Sequence, residues 1–288
     1  MKKKKLTPWL LLLPFLGVTT LVIVSVWNIL VQSLGLIPAF GLTEPTIEYY
    51  RQVLASETFL SSLGVSLKIA IFSAVLATVL GVLVCAALVG CRKNGIVHAV
   101  RLPILVPHTV VALFVITICS QTGLLARGAA ALGIISDSTE FPQLLFSQSY
   151  AGVILAYLWK EIPFVAYFVL ALMSGISSTL GEAAENLGAS PLKSFFQITL
   201  PLSLPVIAKA FLIIFIFAFG GYELPFLLGA TLPKALPVQA YIAYTSPDLL
   251  QRPLAMAMNG VILLLSITMA AMYWALVNTL LKRTGGAK

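Results

Sequence analysis

The chain has 288 residues, of which 59% are hydrophobic and only 10% are charged. Soluble domains carry about 25% charged residues, so this composition excludes an ordinary soluble protein and predicts an all-α polytopic membrane protein. The net charge of +8 raises the question of nucleic-acid binding, but the distribution of the charges, given below, indicates a membrane topology instead.

Six apolar runs are long enough to span a bilayer, which requires about 20 residues per helix. Their approximate bounds are Pro8–Val31, Leu63–Val89, Leu102–Ser120, Tyr150–Met173, Leu202–Phe219 and Leu254–Leu281. The first run follows basic residues, as in a signal peptide, but it exceeds the usual apolar core of about 7–15 residues and no small-x-small site follows it closely. We therefore predict an uncleaved first span with a cytoplasmic N-terminus.

The basic residues are divided unequally between the two sides that six crossings define. The segments assigned to the cytoplasm contain eleven of them: Lys2, Lys3, Lys4, Lys5, Arg92, Lys93, Arg101, Lys193, Lys282, Arg283 and Lys288. The outer segments contain four: Arg51, Arg127, Lys234 and Arg252. This asymmetry follows the positive-inside rule and predicts that both termini are cytoplasmic. We do not expect the chain to bind nucleic acid.

The thiols and imidazoles do not suggest a redox or metal site. Cys85, Cys91 and Cys119 lie in or beside predicted spans and no CxxC is present, so we expect buried apolar side chains and no disulfide. His98 and His108 have no acidic or thiol partner at a ligand spacing, and no metal site is predicted.

Prolines interrupt several spans, which indicates either kinked packing or hinges in moving helices. They are Pro8, Pro14, Pro103, Pro107, Pro163, Pro201 and Pro205. Two predicted outer segments, residues 121–149 and 220–252, are longer than minimal turns. The second is rich in glycine and proline and only partly polar, so its backbone amides need protein partners or a watery cavity.

The fourth span contains two adjacent charges, Lys160 and Glu161, about 15 Å from its predicted start at 1.5 Å per residue. Charges inside a membrane usually face a bundle interior or a watery cavity. We therefore take both as candidates for a translocation pathway, with at least one facing the pathway or a neighbouring subunit. The alternative is a span shifted outward, in which the lysine reaches the interface.

A polar stretch separates the fourth and fifth spans. Thr179 and Glu182 fit a capping box, and Gly188 stands where a helix ends in a left-handed residue. Ser190 and Pro191 then fit an N-cap and a first helical position. The pattern predicts a helix, a glycine turn and a second helix on the cytoplasmic side.

Glu182, Ala183 and Ala184 suit docking into a groove of a soluble partner, because two alanines add little bulk and an acid pairs with a basic groove wall. An ordinary amphipathic loop is the alternative. The spacing of seven residues resembles in full the E-A-A-x3-G-x9-I-x-L-P loop of type I binding-protein-dependent ABC importer permeases. These residues are Glu182, Ala183, Ala184, Gly188, Ile198, Leu200 and Pro201.

The resemblance implies a domain organisation and a set of partners. Residues 1–58 form an N-terminal transmembrane helix with an extracytoplasmic segment, and 59–288 form a five-helix permease core whose coupling loop lies at about 179–200. The implied partners are ABC ATPase subunits, a second permease that is the same or a related chain, an extracytoplasmic solute-binding protein and membrane lipid. The implied location is the plasma (inner) membrane of a prokaryote.

The chain lacks GxxxxGK[ST], the loop that cradles nucleotide phosphates. We therefore expect no enzyme activity and no bound cofactor in this chain, and ATP hydrolysis by a partner subunit. Residues 219–259 resemble the outer loop of spermidine/putrescine-type permeases, which implies a polyamine or another small polar solute. Within this loop Tyr222 and Glu223 are further pathway candidates, since a cationic solute is attracted to Glu223. An acid on a solvated loop is the alternative.

Two other functions fit the sequence less well. An ion-coupled secondary transporter depends on membrane acids and broken helices, but Glu161 is its one candidate acid and the docking loop stays unexplained. An intramembrane enzyme is disfavoured because the chain has no HExxH or GxSxG and His108 has no evident nucleophile beside it.

Overall fold

The structure is a computed structural model that describes residues 7–89 and 94–283. Within these residues the fold is helical, and the extended pairing is limited to one bridge between Ile37 and Leu42. The helices in chain order are α1 (Thr7–Ser33), α2 (Glu48–Ala55), α3 (Glu57–Val89), α4 (Asn94–Leu105), α5 (His108–Cys119), α6 (Leu124–Ala131), α7 (Ala151–Ile176), α8 (Glu182–Asn186), α9 (Pro191–Ser194), α10 (Leu200–Phe219), α11 (Glu223–Leu228), α12 (Leu236–Tyr244) and α13 (Gln251–Arg283).

Six helical stretches of the described chain are long and apolar enough to cross a membrane, which confirms the predicted number. Their bounds are Leu11–Ser33, Glu57–Val89, His108–Ala131, Ala151–Asn186, Pro191–Phe219 and Gln251–Thr279. None of the residues in the most apolar window of the first is buried. Such a surface is suited to contact with lipid.

The third predicted span, Leu102–Ser120, is wrong as a single helix. It consists of α4, which ends at Leu105, and α5, which begins at His108. Pro107 between them has φ −59° and ψ 148°. Proline has no amide hydrogen and its ring disfavours helical backbone at the residue before it, so the helix is interrupted at Val106. The apolar composition continues across this break and does not reveal it.

The fourth and fifth spans are longer than predicted. The fourth runs without interruption over Ala151–Asn186, because a π-helical turn at Ser177–Gly181 joins α7 to α8. The fifth runs over Pro191–Phe219, because a second π-helical turn at Phe195–Thr199 joins α9 to α10. The 36 residues of the fourth correspond to about 54 Å, well beyond a hydrocarbon thickness of about 30 Å. A helix of this length is therefore expected to extend beyond the hydrocarbon region at one or both ends.

One compact unit comprises Ser61–Val238 and Leu265–Lys288. Its central helix is α7, which packs against α4, α5, α10 and α11. Eleven of the 26 residues of α7 are buried, and Tyr157 and Met173 have 1% and 0% of their surface exposed. The side chains of α7 are thus shared by most helices that form the candidate sites below.

The predicted outer segment after the fifth span packs on protein over residues 220–238, as its composition predicts. The Leu236 amide donates a hydrogen bond to the Ser66 hydroxyl at 2.8 Å. The Tyr150 hydroxyl donates to the carbonyl of Pro233. These contacts satisfy polar groups that lipid cannot satisfy.

The other compact unit comprises Met1–Leu60 and Gln239–Leu264. Within it, the hydroxyls of Ser33 and Tyr50 lie 2.8 Å apart and form a hydrogen bond between α1 and α2. The predicted boundary between residues 58 and 59 stays a prediction.

Several residues used in the sequence predictions lie outside the described residues: Lys2, Lys3, Lys4, Lys5, Cys91, Arg92, Lys93 and Lys288. The same holds for the side chains of Pro8, His98, Lys282 and Arg283. Cys85 and Cys119 are buried free thiols, as expected.

Candidate functional site

The polar segment between the fourth and fifth spans, residues 177–201, is called the elbow below. Its α8 helix ends in a Schellman motif. The Ala189 amide donates to the Ala184 carbonyl at 3.0 Å, and the Gly188 amide donates to the Glu185 carbonyl at 2.9 Å. Gly188 has φ +95°, a conformation that strains residues with a Cβ. The predicted left-handed helix end at Gly188 is confirmed.

The second arm of the elbow begins as the sequence predicts. The Ser190 hydroxyl accepts a hydrogen bond from the Lys193 amide at 3.3 Å, and Pro191 is the first residue of α9. Proline at this position loses no helical hydrogen bond, since the first amides of a helix have no internal partner. Ser190 and Pro191 thus act as the predicted N-cap and helix start.

The capping box predicted from Thr179 and Glu182 is wrong. The Thr179 hydroxyl donates to the Gly175 carbonyl at 2.8 Å, and Thr179 lies inside the π-helical turn. Gly181 precedes α8 without a side-chain cap. An N-cap satisfies amides that lack a partner at a helix start. Here the preceding turns already supply partners, because the fourth span continues through this point.

The two arms of the elbow approach closely at Gly181 and Ser194. The Ser194 hydroxyl donates to the Gly181 carbonyl at 3.3 Å, and Ser194 is 3% exposed. A Cβ on Gly181 would lie 3.2 Å from the Ser194 hydroxyl oxygen. Small residues therefore set the close spacing at the base of the elbow.

The tip of the elbow is exposed. Glu182, Ala183 and Gly188 are exposed and Ala184 is partly exposed. The other three motif residues, Ile198, Leu200 and Pro201, lie on the second arm, where Pro201 is exposed and the other two are partly exposed.

Sequence reasoning missed Leu187 and Leu192, which are 90% and 71% exposed. Leu187 is the most exposed large apolar side chain among the described residues. The signal available in the sequence was the position of Leu187 directly before Gly188, at the predicted end of a helix.

A second candidate site is a cavity of about 500 Å³ where α5, α7, α10 and α11 meet. Its polar lining comes from His108, Tyr157, Tyr222 and Glu223. The structure thus brings together the predicted residues Tyr222 and Glu223 with two residues that sequence reasoning did not select. His108 and Tyr157 come from other helices, so their proximity is visible only in the folded chain.

The cavity combines aromatic walls with a carboxylate. His108 Nδ1 lies 3.9 Å from a Glu223 carboxylate oxygen, and the His108 ring centroid lies 5.4 Å from that of Phe217. The Glu223 side chain is 57% exposed, so its charge is accessible to a small molecule at the rim. The opposite ring nitrogen of His108, Nε2, is buried without a hydrogen-bond partner in the described chain.

Lys160 and Glu161 do not line this cavity. Both are buried, at 9% and 8% exposure, about one turn beyond Tyr157 on α7. The Lys160 ammonium donates to the carbonyls of Ile104, at 3.5 Å, and Val106. Its partners are therefore at the break between α4 and α5. The proposed proximity of Lys160 and Glu161 to a pathway stays a prediction.

Comparisons with known proteins identify the family of this chain. Residues 77–283 match the sequence profile of the family "Binding-protein-dependent transport system inner membrane component". The chain is 30% identical over 234 residues to the putative 2-aminoethylphosphonate transport system permease protein PhnU of Salmonella typhi, covering 80% of this chain and 78% of that protein. It is 29% identical over 171 residues to the putrescine transport system permease protein PotI of Escherichia coli (strain K12), covering 58% and 55%.

Solved structures show the same fold. A chain of a bacterial ABC transporter involved in the import of the acidic polysaccharide alginate has a TM-score of 0.78 at 19% identity, covering 96% of this chain and 98% of that chain. A chain of a bacterial alginate ABC transporter in complex with an alginate pentasaccharide-bound periplasmic protein has a TM-score of 0.75 at 19% identity, covering 98% and 97%. The family profile spans most of this chain, and the chain therefore belongs to the inner membrane components of binding-protein-dependent transport systems, the permease subunits of ABC importers.

Proposed function

We propose that this permease subunit forms half of the translocation pathway and that its elbow docks on a separate ATPase subunit. The observation that supports docking is the exposed tip, with Leu187 90% and Leu192 71% exposed beside Glu182 and Ala183. This tip lies at the end of a helix too long for the hydrocarbon region. Large apolar side chains so exposed to water mark a surface that a partner covers.

The proposed assembly contains two permease subunits, the ATPase subunits and an extracytoplasmic solute-binding protein. The absence of GxxxxGK[ST] from this chain supports ATP hydrolysis by another subunit. One of the similar structures is a transporter in complex with a periplasmic protein, which supports the third partner. The elbow and both termini are proposed to face the cytoplasm, as the basic residues predict.

The cavity is proposed to lie on the translocation pathway. Tyr222 and Glu223 line it, and Lys160 and Glu161 remain pathway candidates deeper along α7. The solute is proposed to be small and polar. Two relatives support this class, since one is named for putrescine and another for 2-aminoethylphosphonate. The polyamine suggested by the outer loop is one member of the class. The alternative of an ion-coupled secondary transporter is not favoured by the family.

The docking proposal is tested by co-expressing the permease with its ATPase and purifying the permease through a tag. The variant Glu182→Lys is expected to lose most of the ATPase from the purified complex, since it reverses the charge at the tip. Glu44→Lys is the matched control, because Glu44 is an exposed acid outside the elbow. Equal amounts of ATPase with both variants would contradict the proposal.

A further inference from the structure

The break between α4 and α5 leaves backbone groups without their usual helical partners. The last carbonyls of a helix have no amide within the helix to bind, and Pro107 supplies no amide hydrogen. A carbonyl shielded from water needs a hydrogen-bond partner from the protein. The carbonyls of Ile104 and Val106 lie at this break.

A side chain of another helix satisfies these carbonyls. The ammonium of Lys160, on α7, donates to the Ile104 carbonyl at 3.5 Å and also to the Val106 carbonyl. The charge suits this position, because the carboxyl end of a helix carries a partial negative charge. Lys160 is 9% exposed, so it is enclosed at the break and does not extend to a membrane surface.

A second cation connects the same two helices. The guanidinium carbon of Arg101, on α4, lies 4.3 Å from the ring centroid of Tyr167, on α7, a cation–π contact. The two contacts lie at different heights along α4, which packs against α7. Together they fix α4 to α7, and α7 continues through the π-helical turn to the tip of the elbow.

The first residue after the break lines the cavity. His108 is the first residue of α5, and its Nδ1 lies 3.9 Å from Glu223 on α11. α5 packs against α11 and α6 as well as against α7. The two helices on either side of the break therefore differ in their further attachments. Both pack against α7, but α4 and the break are also bonded to it through Arg101 and Lys160, whereas α5 also packs against α11, which lines the cavity.

We propose that Lys160 is a positioning residue that holds α4 and α7 together as one rigid body, so that movement at the elbow reaches the break at residues 106–107 and changes the wall of the cavity at His108. The inference rests on the proposed docking of the elbow on an ATPase. In this proposal the angle between α4 and α5 takes two values, and the change from one to the other links the elbow to the cavity.

Distance measurements on the assembled transporter test the rigid body directly. After replacement of the native cysteines, spin labels are introduced in two pairs, one on Leu102 of α4 and Phe168 of α7 and the other on Leu102 and Leu113 of α5. The native side chains at Leu102, Phe168 and Leu113 are 62%, 40% and 63% exposed. Between the nucleotide-free and nucleotide-trapped states, we expect the first distance to stay constant and the second to change. If the Leu102–Phe168 distance changed as much as the Leu102–Leu113 distance, the proposal would be overturned, and this result needs no Lys160 variant.

Variants of Lys160 test its part in coupling. Lys160→Met keeps most of the apolar volume and removes the donor, whereas Lys160→Arg keeps a cation. We expect Lys160→Met to lose at least about fivefold in uptake per ATP hydrolysed, the lower end of the usual range of coupling between sites. In Lys160→Met the distribution of Leu102–Phe168 distances should broaden. Lys160→Arg should retain more uptake per ATP than Lys160→Met.

Lys68→Met is the matched control, since Lys68 also donates to a backbone carbonyl, that of Gln148 at 3.2 Å, but on α3. Wild-type uptake per ATP with an unchanged Leu102–Phe168 distance in Lys160→Met would overturn the role of Lys160. Failure of the docking proposal has a different signature, because the Glu182→Lys variant would then copurify with as much ATPase as the Glu44→Lys control.

Discussion

The hydroxyl of Ser194 donates to the carbonyl of Gly181 across 3.3 Å, and this bond joins the ends of two membrane spans at the base of the elbow. Both residues are small and buried. The exposed tip beyond them is therefore held by a tightly packed base. This arrangement suits an element that transmits a movement, because a loosely packed base would absorb it.

The close approach at this base predicts the effect of a larger residue. Gly181→Val should reduce the free energy of unfolding of the purified permease by about 1–3 kcal/mol, because the valine side chain would overlap Ser194. The thermal unfolding temperature should fall accordingly. Thermal unfolding in detergent measures this. Gly175→Ala is the control, since a Cβ at Gly175 meets nothing within 4 Å. Equal destabilisation by both variants would contradict the packing argument.

The left-handed backbone of Gly188 predicts a conformational effect. Gly188→Ala should cost about 1–2 kcal/mol in the stability of the elbow, because a Cβ is strained at positive φ. We expect reduced ATPase association in copurification. Gly128→Ala, in helix α6 with open space around it, should leave association unchanged; a similar loss there would mean that any added methyl group has this effect.

The exposure of Leu187 predicts a variant that affects binding and not folding. Leu187→Asp should leave thermal stability of the isolated permease unchanged, since the side chain is 90% exposed. If Leu187 is central to docking, affinity for the ATPase should fall by about 2 kcal/mol, or about 30-fold. Titration of the purified subunits measures this. Leu132→Asp, at 77% exposure in a predicted outer segment, serves as the control and should bind normally.

The cavity predicts a defect in transport without a defect in assembly. Glu223→Gln removes the carboxylate at its rim and should reduce uptake while ATPase association remains normal. Uptake into proteoliposomes with the cognate binding protein measures the effect. Glu140→Gln changes an exposed acid outside the cavity and should transport normally. Normal uptake by Glu223→Gln would remove this residue from the pathway.

Local sequence was sufficient for some parts of this structure. The number of spans follows from the length of apolar runs, because hydrocarbon thickness sets the length a helix needs. The turn at Gly188 and the helix start at Ser190 and Pro191 depend on the backbone preferences of those residues alone. The family resemblance was equally accessible, since its seven residues lie within one short segment.

Other parts depended on residues distant in the chain. The capping box at Thr179 fails because the preceding span continues and already satisfies the amides. The interruption at Val106 follows from Pro107, but its satisfaction by Lys160 depends on the packing of α7 against α4. The cavity forms because His108 and Tyr157 meet Tyr222 and Glu223 from three separate helices.

The sequence by itself determined that this chain has six runs long and apolar enough to cross a membrane and that it carries a permease motif, because apolar length and linear spacing are properties of contiguous residues. The tertiary structure alone decided which charges meet which carbonyls and which polar side chains share a cavity. A buried polar group takes its partner from whatever helix lies beside it, and that neighbour is fixed by packing across the whole fold.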